Sequence, residues 1–165
     1  MRIFRLFGYQ VTATHLSTGK DFFSTEPPAC DYIISNPPYS LKGEVLERLF
    51  DLGKPFAMLV GVVGLFESQR RFEMFRAHDF EIMYFNRRVA YFKSYEDPAP
   101  SLNPPFSSVY VCKGILPKTI IFEEIAKRRP KWQETNTPAT ATVAEPGPRP
   151  AMATLSAMLA IGASS

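Results

Sequence analysis

Cysteine is scarce in this chain. Only Cys30 and Cys112 occur, each beside or inside an apolar run, without metal-ligand spacing and without a histidine nearby. That pattern reads as buried free thiols rather than a disulfide framework, expects no metal, and suits a reducing cytoplasm. Long hydrophobic runs are lacking too. No basic segment followed by an apolar stretch opens the chain, and the longest apolar run near the C-terminus is broken by Ser156; secretion and membrane insertion are not expected. Charge of one sign does not dominate: 19 Lys and Arg against 16 Asp and Glu leave a net +3. Such a balance permits a nucleic-acid partner without requiring one. Glycine is sparse, at 9 residues. None of them forms a strand, glycine pair and helix: Gly61 and Gly64 have the wrong spacing, and neither Lys113-Gly114-Ile115 nor Glu145-Pro146-Gly147-Pro148 supplies the pattern.

What is present is a core. A 45% hydrophobic content with 14 phenylalanines fills one ordinary domain in 165 residues, and one domain is expected. Met1 to Phe7 reads as the last turns of a helix capped by Gly8, followed by a strand over 9–14. Residues 31–35 and 55–60 read as buried strands flanking a helix over 44–52, where Val45, Leu46, Leu49 and Phe50 recur at helical spacing and Gly53 is the cap. A helix over 68–78, a strand over 80–85, a hairpin through Asn86-Arg87-Arg88 into 89–92, a strand over 107–112 and a helix over 120–129 complete the pattern. Alternating helices and strands predict an α/β domain with a mostly parallel sheet. Beyond residue 129 the composition turns to Thr, Ala and Pro, so the expected division is a folded domain over 1–129 and a disordered tail over 130–165.

The chemistry is concentrated at Asn36-Pro37-Pro38-Tyr39, directly after the apolar run Asp31-Tyr32-Ile33-Ile34-Ser35. A strand stopped by two prolines delivers a rigid loop to the carboxyl end of a sheet, where open α/β sheets bind ligands. An exocyclic amino group on adenine is a poor nucleophile because its lone pair is delocalised into the ring. Two acceptors aimed at its N–H bonds make the nitrogen more electron-rich, and the Asn36 side-chain carbonyl with the Pro37 main-chain carbonyl can supply them. Pro38 stiffens the turn, and the Tyr39 ring can stack on a base turned out of its helix.

Strand, Asn36-Pro37-Pro38-Tyr39-Ser40 and following helix resemble the catalytic motif of S-adenosylmethionine-dependent amino-methyltransferases, above all the phage-type DNA N6-adenine enzymes. The tetrapeptide also occurs in families acting on RNA bases and on protein glutamine, so those substrates stay open. The resemblance covers about residues 6–115. It implies a Rossmann-like methyltransferase fold with an antiparallel edge hairpin, S-adenosylmethionine as cofactor, and direct methyl transfer by a monomer to DNA or, alternatively, RNA. It further implies that Asp21 accepts from the cofactor adenine with Phe22 beside the ring, and that Asn36 lies at the cofactor as well. His15 stands where the family has an acidic residue for the ribose. The family's first strand and glycine-rich loop have no counterpart here, so the fold is expected to be N-terminally incomplete, lacking the strand between those carrying Val11 and Ile33, and the chain weak or inactive alone. A silent nucleic-acid-binding remnant is the third possibility. Arg70, Arg71, Arg87 and Arg88 are the candidate nucleic-acid contacts, with Arg88-Val89-Ala90-Tyr91-Phe92 resembling a family segment; clustered arginines also commonly form a solvated face. A second Asn-Pro-Pro, Asn103-Pro104-Pro105-Phe106, follows a proline-rich loop and is expected to be an entry to a strand.

Overall fold

The computed structural model describes residues 2–15, 18–91 and 104–125. The first element is the short helix α1, Arg2–Leu6. It ends as its sequence predicts. Gly8 takes φ of 83°, its N–H reaches the Arg5 carbonyl at 3.0 Å, and the Tyr9 N–H reaches the Phe4 carbonyl at 3.1 Å. This pair of bonds is a Schellman closure, which needs a left-handed residue that glycine adopts without penalty.

The chain then builds β1 (Ile33–Ser35), α2 (Lys42–Asp51), β2 (Phe56–Gly61), α3 (Gln69–Ala77), β3 (Glu81–Phe85), β4 (Ser108–Lys113) and β5 (Ile120–Glu123). The five strands form one mixed sheet in the order β1-β2-β4-β3-β5. β1 is parallel to β2 and β3 to β5, whereas β4 is antiparallel to both β2 and β3. Four strands therefore point one way and β4 alone is reversed. This α/β arrangement is consistent with a Rossmann-like fold.

α2 forms because Val45, Leu46, Leu49 and Phe50 share one helical stripe, and all four are buried. Gly53, at φ of 64°, closes it by donating to Phe50 at 3.1 Å. α3 starts at Ser68, whose hydroxyl accepts the Arg71 N–H at 3.2 Å as an N-cap. Met74 and Phe75 of α3 are buried, while Phe72 faces solvent beneath the Arg76 guanidinium. Both helices cover one face of the sheet, meeting Phe56, Met58, Val60, Val109, Val111 and Ile82 in a single cluster. On the opposite face Ala57, Leu59, Met83, Tyr110 and Cys112 pack with Val89 and Ile115, and Phe4 of α1 lies against them.

Three expectations are corrected. Residues 9–14 form no strand; alternation supplies the pattern for one, but a strand also needs a neighbour to complete its backbone bonds, and β1 is paired only to β2 among the described residues. The antiparallel element is not an edge hairpin. Residues 86–90 are irregular, only Tyr91 forms an isolated bridge, and the reversed strand β4 fills the space between β2 and β3. Residues 120–123 are β5 and not a helix, because the β-branched pair Ile120 and Ile121 finds an open edge on β3. Residues 21–23 are a turn. Residues 126–129, Asn103 and the 130–165 tail lie outside the described residues. Among the described residues no helix is long and apolar enough to cross a membrane.

One side chain pins the β4–β5 connection. The Glu81 carboxylate, at the start of β3, accepts the N–H groups of Gly114 at 2.8 Å, Ile115 at 3.1 Å and Leu116 at 2.8 Å. Gly114 turns the chain there with φ of 66°. Replacing Glu81 with Ala leaves these donors without an acceptor, and unpaired part-buried donors cost about 1–3 kcal/mol. Urea denaturation of Glu81→Ala should show an unfolding free energy lower by about that amount, with faster hydrogen exchange at 114–116. An unchanged denaturation midpoint would refute the pinning role.

Candidate functional site

The parallel pairing of β1 with β2 brings their carboxyl ends to one edge of the sheet. Ser35 ends β1, and the chain leaves through Asn36, Pro37 and Pro38 into a single 3-10 turn, Tyr39–Leu41, that runs directly into α2. Pro38 has φ of −54° and ψ of 131°, an extended proline conformation. Its carbonyl accepts the Leu41 N–H at 3.0 Å, which ties the turn off. Asn36 is exposed, and its side-chain amide has no hydrogen-bond partner among the described residues. Pro37 is half-buried beside it. The loop is thus held by proline geometry and by α2, with the Asn36 amide exposed at its tip.

Tyr39, three residues further on, is half-buried. Its hydroxyl is hydrogen-bonded to the Tyr91 hydroxyl and lies 3.4 Å from Ser108 Oγ. Tyr91 in turn donates to Ser108 Oγ at 2.7 Å. Its ring meets Tyr91 and Phe106 edge-on, with centroids at 5.9 and 5.3 Å. Gly61, the last residue of β2, underlies the ring: a Cβ there would sit 3.3 Å from Tyr39 Cδ2 and Cε2. Burial, above all, holds the Tyr39 phenol well above its ordinary 10.0; the bond from Ser108 opposes this and Tyr91 adds to it.

The same edge carries the residues that follow β3. Arg87 and Arg88 are exposed, and Arg88 donates to the Pro104 carbonyl at 3.0 Å, joining the two segments that lead from β3 and into β4. Pro104 to Ser107 is the entry to β4, as the context of the second Asn-Pro-Pro predicts. On the α2 side, Lys42 donates to the Val63 carbonyl at 2.5 Å. Its ammonium is drawn below the usual lysine value by burial and then by Arg71, with Glu67 opposing.

The remaining sequence candidates are placed elsewhere or are engaged. Arg71 holds the β2–α3 loop, donating to Gly64 at 2.7 Å and Leu65 at 3.1 Å. Arg70 grips Glu47 of α2 with two bonds of 2.5 Å, and Asp51 and Glu73 line the same hollow. Asp21 closes its own turn: one carboxylate oxygen accepts the Phe23 N–H at 3.2 Å and the other the Ser24 hydroxyl at 3.1 Å. Phe22 packs on the core with the Arg48 guanidinium 5.6 Å from its ring centre, and Arg48 also donates to the Thr25 carbonyl at 3.2 Å. Asp21 and Phe22 therefore belong to the flank of α2, and no bond or ring contact joins them to residues 36–39 among the described residues. Cys112 is buried and Cys30 half-buried, both as free thiols.

Sequence reasoning missed Gly61, Phe106 and Ser108. A glycine closing a buried strand was the available signal for the first; the other two carried none beyond lying next to an apolar run. Neither family models nor curated proteins nor solved structures match this chain.

Burial raises three acids of the sheet and its edge: the Tyr39 and Tyr110 phenols above 10.0 and the Cys112 thiol above 9.0. In the unfolded chain they lose protons near those ordinary values, while the folded chain retains them, so above that range the unfolded state binds fewer protons and stability falls. The contribution is complete below the thiol's ordinary value and is lost as pH rises through and beyond 9.0 to 10.0. Thermal melts should be flat on this account near neutrality and decline above pH 9.0, and tyrosinate absorbance should show Tyr39 and Tyr110 ionising only with unfolding. Ionisation of all 7 tyrosines in a protein that stays folded would contradict it.

Proposed function

We propose that this protein acts in S-adenosylmethionine-dependent N6-adenine methylation of DNA, with residues 36–39 as the part that takes the adenine amino group. The observation that carries the reading is the exposed Asn36 amide, without a hydrogen-bond partner among the described residues, at the carboxyl tip of a parallel strand and held by Pro37 and Pro38. There the Asn36 carbonyl and the Pro37 carbonyl accept the two amino hydrogens. Each acceptor pulls on an N–H bond, raises the electron density on nitrogen and is already oriented before the base arrives, so little reorganisation is needed. The half-buried Tyr39 ring is the surface on which the extruded base lies, and the exposed Arg87 and Arg88 on the same edge meet the phosphate backbone.

The cofactor the motif implies would supply an electrophilic methyl group. Asp21 and Phe22 do not fit the role of holding its adenine beside residues 36–39: no bond or ring contact joins them to that loop among the described residues, Asp21 closes its own turn and Phe22 is packed beside Arg48. That same observation favours a second reading, a module that binds an extruded adenine without transferring a methyl group. Methylation of RNA or of a glutamine amide uses the same acceptors and differs in what lies against Tyr39.

The test is a DNA duplex with one mismatched adenine. Tyr39→Ala should weaken its binding by roughly 1 to 3 kcal/mol, the value of base-aromatic stacking. Where transfer from S-adenosylmethionine is measurable, Asn36→Ala should lower its rate by about 10²-fold or more while binding changes little. Tight binding with no transfer selects the second reading. Unchanged binding in Tyr39→Ala, or methylation confined to a glutamine peptide, refutes the adenine site.

A further inference from the structure

Tyr91 and Ser108 lie far from Tyr39 in sequence, yet both hold its phenol. Tyr91 spends its single proton on Ser108 Oγ at 2.7 Å, so in the Tyr39–Tyr91 pair Tyr39 is the donor and Tyr91 the acceptor. Ser108 is fixed in turn, because it opens β4 in register with Gly61 and is 3% exposed. Two torsions orient a tyrosine ring. A hydrogen bond at its far end and the edge contact over Gly61 restrain both.

The hydroxyls are not needed to fill the space. Phe106 already packs the ring from the side, and a phenylalanine at position 39 would make the same ring contacts without bringing a hydroxyl out of water. What the hydroxyl chain adds is direction.

We propose that Tyr91 and Ser108 are positioning residues that hold the far end of the Tyr39 ring in place for the extruded base, with Gly61 providing the room the ring requires. This rests on the base-stacking reading given above. Its consequence is that Tyr39→Phe is not neutral, since the ring then loses its restraint at the far end while Tyr91 loses a donor.

The experiment compares the full chain's affinity for a DNA duplex with one mismatched adenine and for its fully paired counterpart, by fluorescence anisotropy. The ratio isolates what the extruded base contributes from general phosphate binding and from loss of folded protein. Tyr91→Phe, Ser108→Ala and Tyr39→Phe should each cut the preference for the mismatch roughly three- to tenfold, the worth of one hydrogen bond. Ser108→Thr, which keeps the hydroxyl, should restore it. Gly61→Ala should reduce it as well, because the added methyl group pushes the ring by a few tenths of an ångström. Carbon-13 labelling of the tyrosine ring, read by NMR, should show the Tyr39 signal shifting in Tyr91→Phe. Should Ser108→Ala not fold, Tyr91→Phe decides alone. If Tyr39→Ala abolishes the preference while Tyr91→Phe and Ser108→Ala retain it, the positioning role is overturned and the adenine site stands. If Tyr39→Ala retains the full preference, both are overturned.

Discussion

Strand β2 must be dry on both faces and paired on both edges, and the rest of the molecule is arranged to meet that demand. Every residue from Phe56 to Gly61 is buried. Because side chains alternate across a strand, Phe56, Met58 and Val60 go to one face and Ala57 and Leu59 to the other. The larger set requires the apolar stripes of α2 and α3; the smaller accepts a thinner cover from α1, Val89 and Ile115. A slip of one residue in the ladder would exchange the two sets and leave neither cover matched to its face. β1 and β4 satisfy the two edges, one parallel and one antiparallel.

The same pairing gathers the chemistry-bearing residues. Parallel strands end together, so Asn36 after β1, Gly61 at the end of β2, and Arg87 and Arg88 after β3 reach one edge of the sheet. The reversed strand β4 begins there, which adds Ser108 and the preceding Phe106. Residues outside this geometry are engaged elsewhere in the fold. Arg70 is drawn to Glu47, and Asp21 closes its own turn on the flank of α2. An ion pair with one exposed and one half-buried partner at the surface, such as Arg70 and Glu47, contributes little to stability, but it removes the arginine from a ready contact with phosphate.

The elements legible in the sequence are those with local causes. α2 and its cap Gly53, α3 with Ser68, and strands β2 and β3 all follow from periodicity and capping within a short window. Those misread depend on neighbours. Residues 9–14 alternate like a strand and pair with no strand among the described residues; Ile120 to Glu123 is too short for its apolar pattern to distinguish strand from helix, and the free edge of β3 decides it. The position of β4 follows from the space left when α3 carries the chain past one strand width, which no local pattern encodes.

At the site the division is equally clear. The sequence by itself determined a rigid loop at a strand end, because two prolines restrict their own backbone and that of the residue before them, and it determined that Asn36 would be the polar group presented there. Only the tertiary structure decided what holds Tyr39. Its partners are 52 and 69 residues away in the chain, and they meet it because the β2–β4 register sets Ser108 opposite Gly61 and the segment after β3 returns Tyr91 over the same edge. Hydrogen bonds between such distant residues arise from the packing of the whole sheet, and no local spacing in the sequence can announce them.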